Sequence, residues 1–181
     1  KKGEAEMEAA DYAAAVSSLL AALDQDPDNS EIAAEEAEAA KKAKAAELKT
    51  QGQSLLAAED YANAAGAFGI AKSLDPSDAE LTALEAECDA KSKALELKAQ
   101  AEHECDAKDF ATAVGSFDKA LELWPENKEI QAERDAAAGK ARAVELEKHG
   151  RAEVAGEDFE AAVASFTAAL ADDPDNAEIF A

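Results

Sequence analysis

Large apolar, small apolar and polar positions follow one another along this chain in one order that recurs four times. The apolar positions run Tyr12, Ala15, Leu19, Ala22; then Tyr61, Ala64, Phe68, Ala71; then Phe110, Ala113, Phe117, Ala120; and finally Phe159, Ala162, Phe166, Ala169. Steps of three and four residues place each set on one stripe of a helix, where the alanines let a neighbouring helix come close. Pro27, Pro76, Pro125 and Pro174 then stop the helix. Asp28-Asn29, Ser77-Asp78, Glu126-Asn127 and Asp175-Asn176 follow, offering side-chain oxygens to the free amides of the next helix start. The aromatic heading each stripe is preceded by an aspartate, and the pairs Asp11-Tyr12, Asp60-Tyr61, Asp109-Phe110 and Asp158-Phe159 stand at a constant interval of 49 residues. A fixed period of this kind predicts an array of matched helical hairpins in which each unit buries its apolar stripe against the next.

A second helical face precedes each aromatic. Leu48-Lys49-Thr50-Gln51-Gly52 with Leu56, Leu97-Lys98-Ala99-Gln100-Ala101 with Cys105, and Leu146-Glu147-Lys148-His149-Gly150 with Val154 repeat it, and Gly3 and Met7 continue it in the first unit. The small residue at Gly3, Gly52, Ala101 and Gly150 suits a point where two helix backbones nearly touch. Between the turn and this face no breaker occurs, so a helix is predicted from about Ser30 to about Ala58. Along it Ile32, Ala39 and Ala46 recur as Leu81, Cys88, Leu95 and as Ile130, Ala137, Val144. Steps of seven make a narrow seam, by which neighbouring long helices are expected to pair. Lys42 and Lys44, Lys91 and Lys93, and Lys140 and Arg142 recur as well, and Glu-to-Lys pairs within one helix account for them equally.

Leu-Lys-x-x-Gly, then an apolar residue, Asp-Tyr, Ala-Val, Phe, Ala-Leu and Asp-Pro-x-Asn: this order, present in all four units, resembles the tetratricopeptide repeat. The resemblance implies an all-α solenoid of helical hairpins. The period departs from the family's, being about 15 residues longer than the usual ~34. The surplus lies between the turn proline and the Leu-x-x-x-Gly segment, so one helix per unit is expected to be elongated by roughly 22 Å at ~5.4 Å per turn. Some family members hold the carboxylate end of a chaperone tail with a clamp that begins with the lysine of Leu-Lys and the asparagine after the glycine. Lys49 and Lys98 match the first element, but Glu4, Gln53, Glu102 and Arg151 stand where the asparagine would be, so that clamp is not carried over.

Composition narrows the function. Only 5% of the residues are aromatic against 48% hydrophobic overall, so the core is built of alanine and leucine spread along an axis. The formal net charge of −23 repels phosphate backbones and anionic head groups, which argues against nucleic acid and membrane as partners and favours basic proteins. No apolar run has the length of a membrane span. His103 and Cys105 are two positions apart on a helix, where side chains diverge, so neither a metal site nor a Cys-His nucleophile is expected. Cys88 and Cys105, about 25 Å apart along one helix, cannot bridge each other. Two unpaired thiols lean toward a reducing, cytoplasmic setting, with an extracellular filament left open. Asp24, Asp26, Asp28 and Glu35 occupy positions one, three, five and twelve of a calcium loop. However, Pro27 interrupts that loop and Asn29 replaces its turn glycine, so an acidic calcium-responsive module ranks third. No catalytic, metal or cofactor residue is assigned.

The repeats are expected to divide as 1–29, 30–78, 79–127 and 128–176, with 177–181 beginning a further one, all in one solenoid domain. Lys1 rather than methionine opens the chain, so a longer parent is expected. Joining the end of one copy to the start of another restores the ordinary proline-to-aromatic spacing and puts Phe180 in the slot of Leu48, Leu97 and Leu146. The preferred expectation is therefore a non-enzymatic scaffold, a segment of a longer array or a head-to-tail filament. Its junction would comprise Ile179, Phe180 and Ala181 with Lys1, Met7 and Tyr12. The alternative is an adaptor that takes a peptide or basic protein on a concave face, with Trp124, Lys49, Gln53 and Lys98 as contacts.

Overall fold

The structure, a computed structural model, describes residues 2–176. It is all-α: Lys2–Glu8 forms α1, Tyr12–Leu23 α2, Ser30–Ala57 α3, Tyr61–Leu74 α4, Ala79–Asp106 α5, Phe110–Leu123 α6, Lys128–Ala155 α7 and Phe159–Asp172 α8. The elongated helices α3, α5 and α7 have 28 residues each, about 42 Å at ~1.5 Å per residue, against 12 to 14 in their partners. The predicted span from about Ser30 to about Ala58 is thus met to within one residue.

Two recurrent devices delimit the helices. The aspartate of each Asp-aromatic pair is an N-cap: Asp11, Asp60, Asp109 and Asp158 accept from the amides of Ala14, Asn63, Thr112 and Ala161 at 3.1–3.3 Å. The same aspartate closes the preceding helix, since its own amide donates to the carbonyl five residues back, as Asp60 does to Leu55 at 2.9 Å. The residue before it, Ala10, Glu59, Lys108 or Glu157, takes a left-handed φ of 59–62° and donates to the carbonyl three residues back. Together these bonds make a Schellman ending, a conformation that glycine enters without a Cβ penalty. Asn29 and Asn127 cap α3 and α7, and Asp78 accepts from Glu80 at the start of α5, as the turn sequences predict.

The chain comprises two compact units, residues 1–92 and 93–181. In the first, Leu19 of α2 is buried with Ala15 and with Ala39 of α3, and Met7, Val16 and Ile32 pack around them. Phe68 of α4 is the centre of a second cluster, with Ala64 and Ala71 of its own helix, Ala45 of α3, and Leu81 and Cys88 of α5. In the second unit Phe117 of α6 takes the same place among Ala94, Ala101, Ala113, Ala120, Ile130 and Ala137. The seven-residue seam therefore meets the stripe of a short helix, with Ala45 of α3 in the first unit, and Ala94 and Ala101 of α5 in the second, buried beside it. The short helix supplies the ring of each cluster, with Leu81 of α5 or Ile130 of α7 fully buried beside it.

The small residue of the Leu-x-x-x-Gly segment also has a different neighbour from the expected backbone. A Cβ built on Gly3, Gly52 or Gly150 would lie 2.7, 2.6 or 2.8 Å from the side chain of Leu19, Phe68 or Phe166. Each small residue is a seat for a ring or an isobutyl group. Oppositely oriented ion pairs add register: Glu85 of α5 meets Lys72 of α4, whereas the matching Arg134 of α7 meets Asp118 of α6 at 2.8 Å.

Phe68→Ala is expected to lower the unfolding free energy by about 3–5 kcal/mol in a urea titration followed by circular dichroism, as buried rings do. A loss under ~1 kcal/mol would mean the cluster does not hold the unit. Glu59→Gly, which relieves the left-handed φ, is expected to stabilise by roughly 0.5–1 kcal/mol in the same titration, and a loss would contradict the strain argument.

Candidate interaction surface

Of the residues predicted to meet a partner, the lysines are engaged within the fold. Lys49 reaches from α3 to Asp78 at 2.8 Å and Glu80 at 2.6 Å. Hydrogen bonds to these carboxylates hold its ammonium above the ordinary lysine pKa, and the Lys49 bond holds Asp78 below the ordinary aspartate range. Lys98 repeats the arrangement, pairing with Glu102, Glu129 and Glu133. Burial opposes its charge, but hydrogen bonds to Glu102, Glu133 and Glu129 outweigh that and raise its pKa. These bases tie one long helix to the beginning of the next helix pair. Gln53 is exposed on α3. Trp124 ends α6 and packs its half-buried ring against the Phe117 cluster, shielding apolar surface at its own helix end.

Of the junction residues, Lys1, Ile179, Phe180 and Ala181 lie outside the described residues. Met7 is half-buried against Leu19 and its neighbours, and Tyr12 is half-buried at the head of α2.

The residues that head each stripe share a partner that the spacing alone did not suggest. The ammonium of Lys42 lies 5.8 Å from the centre of the Tyr12 ring, that of Lys91 5.5 Å from Tyr61, and that of Lys140 5.6 Å from Phe110. Each is a cation–π contact between a short helix and the long helix that follows it. The bases recur along the sequence as one set and the rings as another. Their constant separation of 30 residues was the available signal, and the pairing of the two needed the hairpin geometry. Intrahelical pairs exist alongside, Lys91 with Glu87 at 2.6 Å and Lys42 with Glu38 at 3.9 Å.

The fourth unit breaks the pattern. Phe159 is 62% exposed and Val163 65%, whereas the matching Tyr61 and Ala65 of α4 are 7% and 6% exposed. Val16 and Val114, which match Val163, pack against the Leu19 and Phe117 clusters. One side of α8 is well packed: Phe166 lies over Gly150, and Ser165 donates to Glu153 at 2.7 Å. Its other side presents an uncovered apolar stripe flanked by Glu157, Asp158 and Glu160. No sequence signal marks this face, because Phe159 and Val163 are ordinary members of the repeat.

Residues 147–180, which take in the end of α7 and all of α8, match the family model described as Tetratricopeptide repeat. Over these residues the chain is similar to the tetratricopeptide repeat. No curated protein and no solved structure matches the chain. Tetratricopeptide repeats are protein–protein interaction scaffolds and are generally non-enzymatic. Burial pushes the thiols of Cys88 and Cys105 above their ordinary pKa, the opposite of what activates a nucleophile. Among the described residues no group of three or more His, Cys, Asp or Glu converges on one point, and no helix is long and apolar enough to cross a membrane.

Lys49→Met is expected to cost no more than about 1 kcal/mol at neutral pH, since Lys49 and Asp78 are partly solvated. Because the folded pKa of Asp78 is depressed, its contribution is complete above the ordinary aspartate pKa and disappears as pH falls through the lower folded value. The difference between wild type and Lys49→Met should therefore shrink toward pH 2 in acid-dependent melting. A difference that stayed constant would assign it to packing of the lysine stem instead.

Proposed function

We propose that this chain is a non-enzymatic structural scaffold whose repeats continue by stacking, so that the outer face of α8 receives the first helices of a further repeat from a longer chain or another copy. The observation that carries this is the 62% and 65% exposure of Phe159 and Val163, at positions that the other units cover. An apolar stripe left in water on one helix of an array is the surface that the next repeat buries elsewhere. A heterologous contact of this kind does not close on itself, so copies joined through it extend as a filament. The net charge of −23 sets the conditions, since like-charged copies repel and association should strengthen with added salt.

A second reading, an adaptor for a peptide or basic protein, draws on a groove beside Phe110 lined by Lys140, Val144, Glu147, Asp173 and Asp175. With Lys108 also on its wall, its aromatic face, two bases and three carboxylates suit an extended segment carrying a basic side chain. The stacking reading is preferred because it accounts for the one departure from the repeat.

In sedimentation and electron microscopy, wild type is expected to form particles that lengthen with concentration. Val163→Asp should abolish growth while leaving helicity and melting temperature unchanged, because Val163 makes few contacts within the chain. A wild type that remains a monodisperse monomer across the concentration range would rule the stacking reading out.

A further inference from the structure

We infer that a cavity between α5, α6 and α7 is a binding site for a small branched alkylammonium, a ligand class that neither reading above calls for. The cavity opens where the repeat loses leucine. In the first unit Leu56 of α3 and Leu84 of α5 pack against the Phe68 cluster. One period of 49 residues later Cys105 and Glu133 hold their places, and Glu133 is drawn to the Lys98 ammonium, 2.9 Å away. What remains is a cavity of about 240 Å³ with Phe117 and Ala137 as its floor and Cys105 in its wall. The same replacement has the same result elsewhere. Two periods before Glu133 stands Glu35, and beside it lies a cavity of about 430 Å³ lined by Glu4, Met7, Ala34 and Glu38. Glutamate in place of Leu84 thus accompanies a cavity in both units, which makes the opening a feature of the repeat pattern.

The side chains absent from the cavity define the body of its ligand. Those at the matching positions beside Phe68 are isobutyl groups, so a branched alkyl group against Phe117 recovers apolar burial that the second unit forgoes. Charge defines the head. Glu102, Asp106 and Glu133 line the cavity against one base, Lys140, whose ammonium is turned to the Phe110 ring at 5.6 Å. Lys98 offsets part of Glu102 and Glu133, and the balance stays negative. In the first unit every charged residue of the matching cavity, Glu4, Glu35 and Glu38, is a carboxylate. An ammonium is therefore favoured over a neutral hydroxyl, and an anion is repelled. The volume lies below the usual ~300–1,000 Å³ of sites for drug-sized ligands, which limits the occupant to a few heavy atoms.

The probe is isopentylammonium, with ethylammonium as the charge without the branched body and isopentanol as the body without the charge. Titrated into the whole chain and followed by amide NMR spectra, it is expected to shift Cys105, Phe117 and Ala137 saturably, with a dissociation constant on the order of millimolar. Either control should bind roughly three- to ten-fold more weakly. Alkylation of Cys105 by iodoacetamide should slow by about two-fold or more at saturating ligand, with the fully buried Cys88 as internal reference. Cys105→Leu combined with Glu133→Leu restores the side chains of the first unit and should abolish the shifts without lowering the melting temperature. Glu133→Gln, which keeps the volume, should weaken isopentylammonium and leave isopentanol unchanged. The inference is overturned if isopentylammonium binds no tighter than ethylammonium, which would leave only the general attraction of an acidic chain for cations. It is equally overturned if isopentanol matches it, or if the doubly substituted chain folds and binds as wild type does. Should that chain lose its fold, the wild-type alkylation rate decides, since a Cys105 that reacts equally fast at saturating ligand has no occupant beside it. None of these outcomes depends on whether the chain stacks.

Discussion

One large side chain seated between two long helices holds each repeat together. Phe68 lies against Gly52 of the helix before it and against Leu81 and Cys88 of the helix after it, and it is fully buried. Phe117 does the same with Ala101, Ile130 and Ala137. A chain with 5% aromatic residues has few such side chains to use, so alanines with a few leucines and isoleucines make the remaining contacts and let the helices close around the ring. The glycine or alanine beneath, the small residue above and the proline that ends the short helix all follow from the need to enclose it.

That dependence sets α8 apart from α4 and α6. Phe166 rests on Gly150 but is only half-buried, whereas Phe68 and Phe117 are 0% and 1% exposed. The exposure of Phe159 and Val163 is the outer rim of the same half-filled seat. A ring enclosed less completely keeps only part of both its hydrophobic and its dispersion stabilisation.

Charge refines this scheme without driving it. The cation–π contacts and the Lys49 and Lys98 clusters lie along lines between one long helix and its neighbours, where they help to fix register in a packing made of small, interchangeable alanines. Individually each is modest because it is partly solvated. The exchange of a Lys72–Glu85 pair for an Asp118–Arg134 pair distinguishes otherwise similar interfaces, a means of telling correct from shifted stacking.

Local and periodic features were legible from the residues. Stripe spacing, turn prolines and Asx caps placed the helices, and the absence of breakers from Ile32 to Leu48 set the elongated one, because helix propensity and capping act over a few residues. The Asp-aromatic pairs were readable as a repeat mark, yet their double role as N-cap and Schellman closure needed backbone dihedrals, φ of 59–62° at Ala10, Glu59, Lys108 and Glu157 being unmarked by glycine. The partner of each long-helix seam, the ring under each lysine and the engagement of Lys49 and Lys98 in internal ion clusters came only from three-dimensional packing. So did the open face of α8. Phe159 is indistinguishable in sequence from Phe110. What separates them is whether another helix lies above, and that is a property of the assembled neighbours, which no single position encodes.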